Sequence, residues 1–140
     1  PIIGSADQEF TVAVFGDGAG GVCASITFQR TLAADGSTAK AWVRNEESLD
    51  RTVLRLCQHF KPVGPTNLQF RRDNAGGWRL LEINPRISST SSMRTAFGYN
   101  EAAMCMAFYL EHKRPVQPPI RSGFAIRYIE DHIVYDRDHF

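Results

Sequence analysis

Three cysteines in 140 residues are too few and too scattered to organise a fold. Cys23, Cys57 and Cys105 are odd in number, form no C-x-x-C pair and each lie among apolar residues. That argues against a disulfide framework and a thiolate zinc site, and leaves each thiol to behave as a small hydrophobe. A reduced, cytoplasmic protein is the expectation. Charge of one sign is also lacking. Sixteen Lys and Arg against 15 Asp and Glu leave a net charge of +1, which gives no footing for a polyanion or an anionic membrane surface. No apolar run approaches the roughly 20 residues that cross a bilayer, and no secretory signal opens the chain. The four histidines are scattered, with no metal-site or triad spacing. Repeats and low-complexity tracts are missing as well. Neither nucleic acid nor membrane is expected as a partner.

The length fits one domain, residues 1–140. The chain starts at Pro1, and its first residues read as the middle of a fold, so a fragment of a longer protein is expected. Residues 9–16 (EFTVAVFG) and 22–32 (VCASITFQRTL) read as strands joined by the glycine turn DGAGG, a hairpin. A phosphate loop is the poorer reading of that turn, which lacks Lys-Ser/Thr and a following helix. A short strand is predicted over 39–43. Asn45 is expected to cap a helix with Glu46 and Glu47 in its first turn, and with Leu49, Val53, Leu56, Cys57 and Phe60 as its buried stripe. Pro62 and Gly64 end it. Strands over 66–72 and 78–84, linked by DNAGG, form a second hairpin. Residues 88–98 read as a polar loop with a helical turn. Asn100 should cap a last helix that buries Ala103, Met104, Ala107 and Phe108, and residues 124–135 carry strand character. The fold class is α+β, an antiparallel sheet with helices packed on one face.

The segment Leu80-Leu81-Glu82-Ile83-Asn84-Pro85-Arg86 is the most informative. Alternation along a strand points Glu82 and Asn84 the same way, with Trp78 and Leu80 beside them, and sends Leu81 and Ile83 to the core with Leu68 and Phe70. Two hard oxygen ligands followed by a cation suit a Mg2+ that carries phosphate. Gln69, on the polar side of its strand with Asn67 and Arg71, is placed to join them. A solvated sheet face rich in Glu, Asn and Gln is the plain alternative.

The stretches EFTV, GPTNLQF and LLEINPRISS, in that order, resemble the second lobe of the ATP-grasp superfamily, in particular its carbamoyl-phosphate-synthetase-like branch. The resemblance runs from Glu9 to about Tyr135. It implies that Gln69, Glu82 and Asn84 are ligands of the Mg2+ ions of ATP, with Mn2+ as a substitute, and that Arg86 contacts phosphate. It also implies nucleotide contact by Glu9, on the ribose, and a phosphate or substrate role for Arg30. Exposed strand-end residues are the alternatives for Glu9 and Arg30. Lys40 has a weaker claim. Ser88–Ser92 would line the substrate end of the cleft, and Arg94 would pair with a substrate carboxylate or lie on the surface. The implied function is the ATP- and Mg2+-binding lobe of an ADP-forming carboxylate–amine or carboxylate–thiol ligase working through an acyl phosphate. The lid lobe and a preceding α/β domain lie outside the match, so activity from these residues alone is not expected. The partners are a nucleotide and a small carboxylate, with a homodimer possible. A non-catalytic ATP-grasp-like binding or regulatory module is the competing reading.

Overall fold

The computed structural model describes residues 5–128, 130, 133 and 134. After a short 3-10 turn at Ala6–Gln8 the elements run β1 Glu9–Asp17, β2 Val22–Leu32, β3 Thr38–Arg44, α1 Glu47–Phe60, β4 Val63–Arg72 and β5 Trp78–Asn84. They continue with α2 Ser91–Ala96, α3 Glu101–Cys105, a π-helical turn Met106–Leu110 and β6 Phe124–Ile126. The six strands form one antiparallel sheet ordered β5-β4-β1-β2-β3-β6. The α+β class and both hairpins are as the sequence implied.

β1 lies in the middle and is buried along almost its whole length, so its two side-chain rows build two cores. Phe10, Val12 and Val14 face one way, with Leu68 and Phe70 of β4, and α1 covers them with Leu49, Val53 and Cys57. Ala13 and Phe15 face the other way, with Ala24, Ile26, Phe28 and Ala41, under Met93, Tyr99 and Met104 of the α2–α3 region. Helices therefore cover both faces of the sheet. A central strand apolar on both sides demands this, because either row left bare would expose several large side chains to water.

Local chemistry explains the connections. In the β1–β2 turn, Asp17 Oδ1 accepts the backbone N–H groups of Ala19 and Gly21, both at 2.8 Å. Gly18 and Gly20 take φ of 80° and 103°, where a side chain would be strained. Asp73 repeats the device in the β4–β5 turn, accepting from Ala75 and Gly77. These N–H groups hold the carboxyls of Asp17 and Asp73 below the usual carboxylate range. Asn100 caps α3 as expected, its side chain accepting from Ala103 N at 3.0 Å. Asn45 does not cap α1. Glu46 holds the N-cap position and makes no side-chain cap bond. Lys61 closes α1 in the left-handed region, donating its N–H to Cys57 O.

Helices on both faces correct the expectation of helices on one face, and Ala103 of α3 is exposed, not buried. Four more expectations need correction. Phe60 is 56% exposed and lies outside the buried stripe of α1. β6 is only three residues long, and residues 129, 131, 132 and 135 of the anticipated strand lie outside the described set. The other two corrections come from a β-bulge. Gln69 pairs with Glu82 and Phe70 with Leu80, so Leu81 is an extra residue in β5. Leu81 is 46% exposed instead of buried. The side-chain order then inverts across it: Trp78 falls on the α1 face, edge-on to Phe10 at 4.9 Å and donating to Ser48 Oγ at 2.9 Å. Glu82 and Asn84 keep the opposite face, but without Trp78 and Leu80 beside them.

Candidate functional site

The α2–α3 face of the sheet changes character along its strands. At one end it is the apolar core around Phe15 and Phe28. At the other it carries a row of charged and amide side chains crossing four strands. The register sets Arg30 of β2 opposite Glu9 of β1, Glu9 opposite Arg71 of β4, and Gln69 of β4 opposite Glu82 of β5. Side-chain bonds follow that order. Arg30 donates to Glu9 Oε1 at 3.1 Å and to Gln69 Oε1. Arg71 Nε donates to Glu9 Oε2 at 2.9 Å, and its terminal NH2 reaches the same oxygen. Gln69 Nε2 donates to Glu82 Oε2 at 2.7 Å. The amide orientation of Gln69 follows from its neighbours: turned over, its NH2 would face a guanidinium and its oxygen a carboxylate.

Glu9, expected at an exposed strand start or on a ribose, is only 3% exposed, and each carboxylate oxygen is held by a guanidinium. Arg30 is buried as well, with its Nε unpaired among the described residues. Gln69, Glu82 and Asn84 do share one face, as strand alternation required. Their environments differ. Glu82 is exposed, and among the described residues its second oxygen accepts no hydrogen bond. Asn84 is half-buried, opposite Asn67, with its Nδ2 buried and unpaired. Gln69 has both amide ends engaged. Arg86 lies exposed just beyond β5, its backbone N–H on Asn84 O at 2.8 Å and its guanidinium donating, among the described residues, to Ile87 O at 3.4 Å. Lys40 is exposed and belongs to the opposite face, pairing with Thr31 one residue past Arg30. Among the described residues no three His, Cys, Asp or Glu side chains come together, so a cation here would rest on one carboxylate and amide oxygens. That donor set is hard and of low charge, the kind Mg2+ takes when phosphate completes its shell.

Behind the row lies a second cluster. Arg94, expected on a substrate or on the surface, is fully buried and paired with fully buried Glu101 at 3.1 Å. Its NH2 also donates to Asn67 Oδ1 at 2.6 Å and to Thr11 Oγ1 at 3.2 Å, and Thr11 itself donates to Asn67 Oδ1. Burial pushes the Arg94 guanidinium down and the Glu101 carboxyl up, against the attraction of each for the other. Nothing local in the sequence marks this pair. Arg94 and Glu101 lie seven positions apart across a helix break, and Thr11 and Asn67 arrive from strands β1 and β4. Ser88 and Thr90 bond through their hydroxyls at 2.6 Å, and Arg127 donates to Ser89 O at 2.8 Å, so the first half of the serine segment is bonded within itself and to the residue after β6.

Among the described residues no helix is long and apolar enough to cross a membrane. The fold is shared with solved proteins. The phosphoribosylaminoimidazole carboxylase ATPase subunit from Aquifex aeolicus superposes with a TM-score of 0.62 at 16% identity, over 75% of this chain and 35% of that one. N5-carboxyaminoimidazole synthetase from Staphylococcus aureus gives 0.64 at 11% identity, over 85% and 33%. The biotin carboxylase domain dimer of Hydrogenobacter thermophilus 2-oxoglutarate carboxylase, solved with MgADP, ADP and bicarbonate, gives 0.61 at 16%, over 83% and 28%. The chain thus spans about a third of the length of these structures. No curated protein matches the sequence. The family model described as "ATP-grasp in the biosynthetic pathway with Ter operon" matches residues 6–132, nearly the whole chain, and the chain belongs to that ATP-grasp family.

Proposed function

We propose that this chain is the metal- and nucleotide-binding lobe of an ATP-dependent, ADP-forming ligase that activates a carboxylate as an acyl phosphate and passes it to an amine or thiol. The observation that carries the reading is the pair at the end of β5. Among the described residues the second oxygen of Glu82 is unengaged and the buried Nδ2 of Asn84 has no partner to fix the amide, which leaves the amide able to turn its oxygen toward a cation; both side chains share a face with Arg30 and precede Arg86. The MgADP and bicarbonate in the Hydrogenobacter structure agree in chemical class. A lid lobe from residues other than these would close the nucleotide pocket.

In this reading Glu82 and Asn84 hold Mg2+, which when bound neutralises phosphate charge. Gln69, whose oxygen is committed to Arg30, serves by holding Glu82 through its Nε2 and does not join them as a ligand. Exposed Arg86 offers a fork of N–H donors to phosphate or to the acyl phosphate. A carboxylate oxygen attacks the γ-phosphorus and ADP leaves. The nucleophile then attacks the acyl carbon and inorganic phosphate leaves. Such transfer needs alignment and charge stabilisation more than a covalent enzyme group, which fits a site of amides, carboxylate and arginines without a nucleophile. Glu9, bracketed by two guanidiniums, serves to hold them and reaches ribose only by releasing one.

Calorimetric titration with Mg·ATP tests this. Glu82→Ala is expected to lower affinity at least tenfold, about 1.4 kcal/mol, and omission of Mg2+ to do the same. Binding that ignores both would sink the metal role. Mg·ATP binding without any carboxylate-dependent release of ADP, measured on the longer protein with its lid, would favour the non-catalytic module.

A further inference from the structure

We propose that Arg71 is a positioning residue for the metal-binding edge, acting through Glu9, Arg30 and Gln69 on Glu82. The inference rests on the reading of Glu82 as a metal ligand. Arg71 itself lies on β4, beside the β5 strand that carries Glu82 but opposite Arg79, and pairs with Glu9 across to β1.

The argument is one of valence in a nearly dry place. Glu9 has two oxygens, and its side chain is only 4% exposed. Arg71 occupies Oε2 with two of its nitrogens, which leaves only Oε1 for Arg30. Arg30 meets Oε1 through one NH2 and spends another proton of that group on Gln69 Oε1. With its oxygen pinned, Gln69 presents Nε2 to Glu82 Oε2 and leaves the other Glu82 oxygen open. Without Arg71, Oε2 would be a buried carboxylate oxygen lacking a partner, a costly state. Arg30 is the nearest cation able to relieve it, by turning its whole fork onto Glu9, and in doing so it would drop Gln69. The Gln69 amide would then rotate freely and Glu82 would lose its tether. Arg71 therefore decides, at a distance, whether the amide next to the metal ligand is fixed.

Two measurements on the protein test this. The first needs no ligand: hydrogen exchange of the Gln69 side-chain amide by NMR. Arg71→Met is expected to speed it at least fivefold, with Arg71→Lys intermediate because it keeps the charge with fewer donors. The second is Mg·ATP affinity in a double-mutant cycle. Arg71→Met should cost about tenfold with Gln69 present and under twofold in a Gln69→Leu background. Unchanged amide exchange overturns the inference. So does an equal loss of affinity in both backgrounds, which would mean that Arg71 acts simply as a nearby charge. Faster exchange in a protein whose unaltered form does not bind Mg·ATP would uphold the positioning role and overturn the nucleotide reading instead. Arg71→Lys carries both measurements if Arg71→Met does not fold.

Discussion

The two faces of β1 are built from the same strand and differ in what they tolerate. Under α1 the row Phe10, Val12, Val14 is apolar throughout and packs on Leu68, Phe70 and the helix, with only uncharged residues such as Thr27 and Thr66 opposite it on the neighbouring strands. On the other face the row Glu9, Thr11, Ala13, Phe15 begins charged and ends apolar, and the charged end is buried almost as deeply. Burial of charge rarely improves stability, since desolvation offsets most of the attraction. The α1 face therefore holds the sheet together, while the other face keeps expensive groups in place. Those groups continue without a break into the exposed carboxylate of Glu82 and the half-buried amide of Asn84, the pair on which the proposed metal site rests.

The contrast can be broken most severely at Arg94. Arg94→Met strands the fully buried Glu101 carboxylate and should cost about 3–5 kcal/mol in urea unfolding. Arg94→Met with Glu101→Leu should recover most of that, if charge is retained there for something other than stability. A double variant as unstable as the single one would show that the pair supports the fold. On the α1 face, Leu49→Ala removes a 0%-exposed side chain from the core and should cost about 2–5 kcal/mol, leaving Mg·ATP affinity unchanged when measured below the unfolding transition. A smaller loss, about 1 kcal/mol, is expected from Asn100→Ala, which removes the α3 cap beside Glu101.

The smallest effect concerns pH. Asp17 and Asp73 have folded-state carboxyls held below their ordinary value of 3.8. A depressed carboxylate contributes stability above its unfolded value and loses it as pH falls through the folded one. Replacing both with Asn should therefore destabilise modestly at pH 7, with the gap from the unaltered protein closing below about pH 4. Thermal melts across that range check it, and a pH-independent gap would assign the effect to turn geometry alone.

How much of this was legible beforehand depends on the range of the interactions. The two hairpins were readable because β-branched and aromatic runs flank glycine turns with an Asp at their head, all within a few residues. The common face of Gln69, Glu82 and Asn84 was readable from alternation, even though alternation failed three residues earlier. Leu81 looks like any other strand leucine, and nothing in the string marks it as the bulged one. Trp78 crossed to the α1 core because Phe10 and Ser48, distant in sequence, offered its ring and its N–H a better place. Asn45 has the chemistry of a cap, but the chain turned into α1 one residue later.

The sequence by itself determined the antiparallel sheet, the family and the face that carries the candidate ligands, because periodicity, turn chemistry and the run around Glu82 are local. Only the tertiary structure decided that Glu9 is clamped between two arginines, that Arg94 is buried on Glu101, and that Gln69 is already bonded at both ends. Those outcomes come from strand register, which brings residues 21 to 62 positions apart into hydrogen-bond reach, and from burial, which makes each unpaired charge too costly to leave alone.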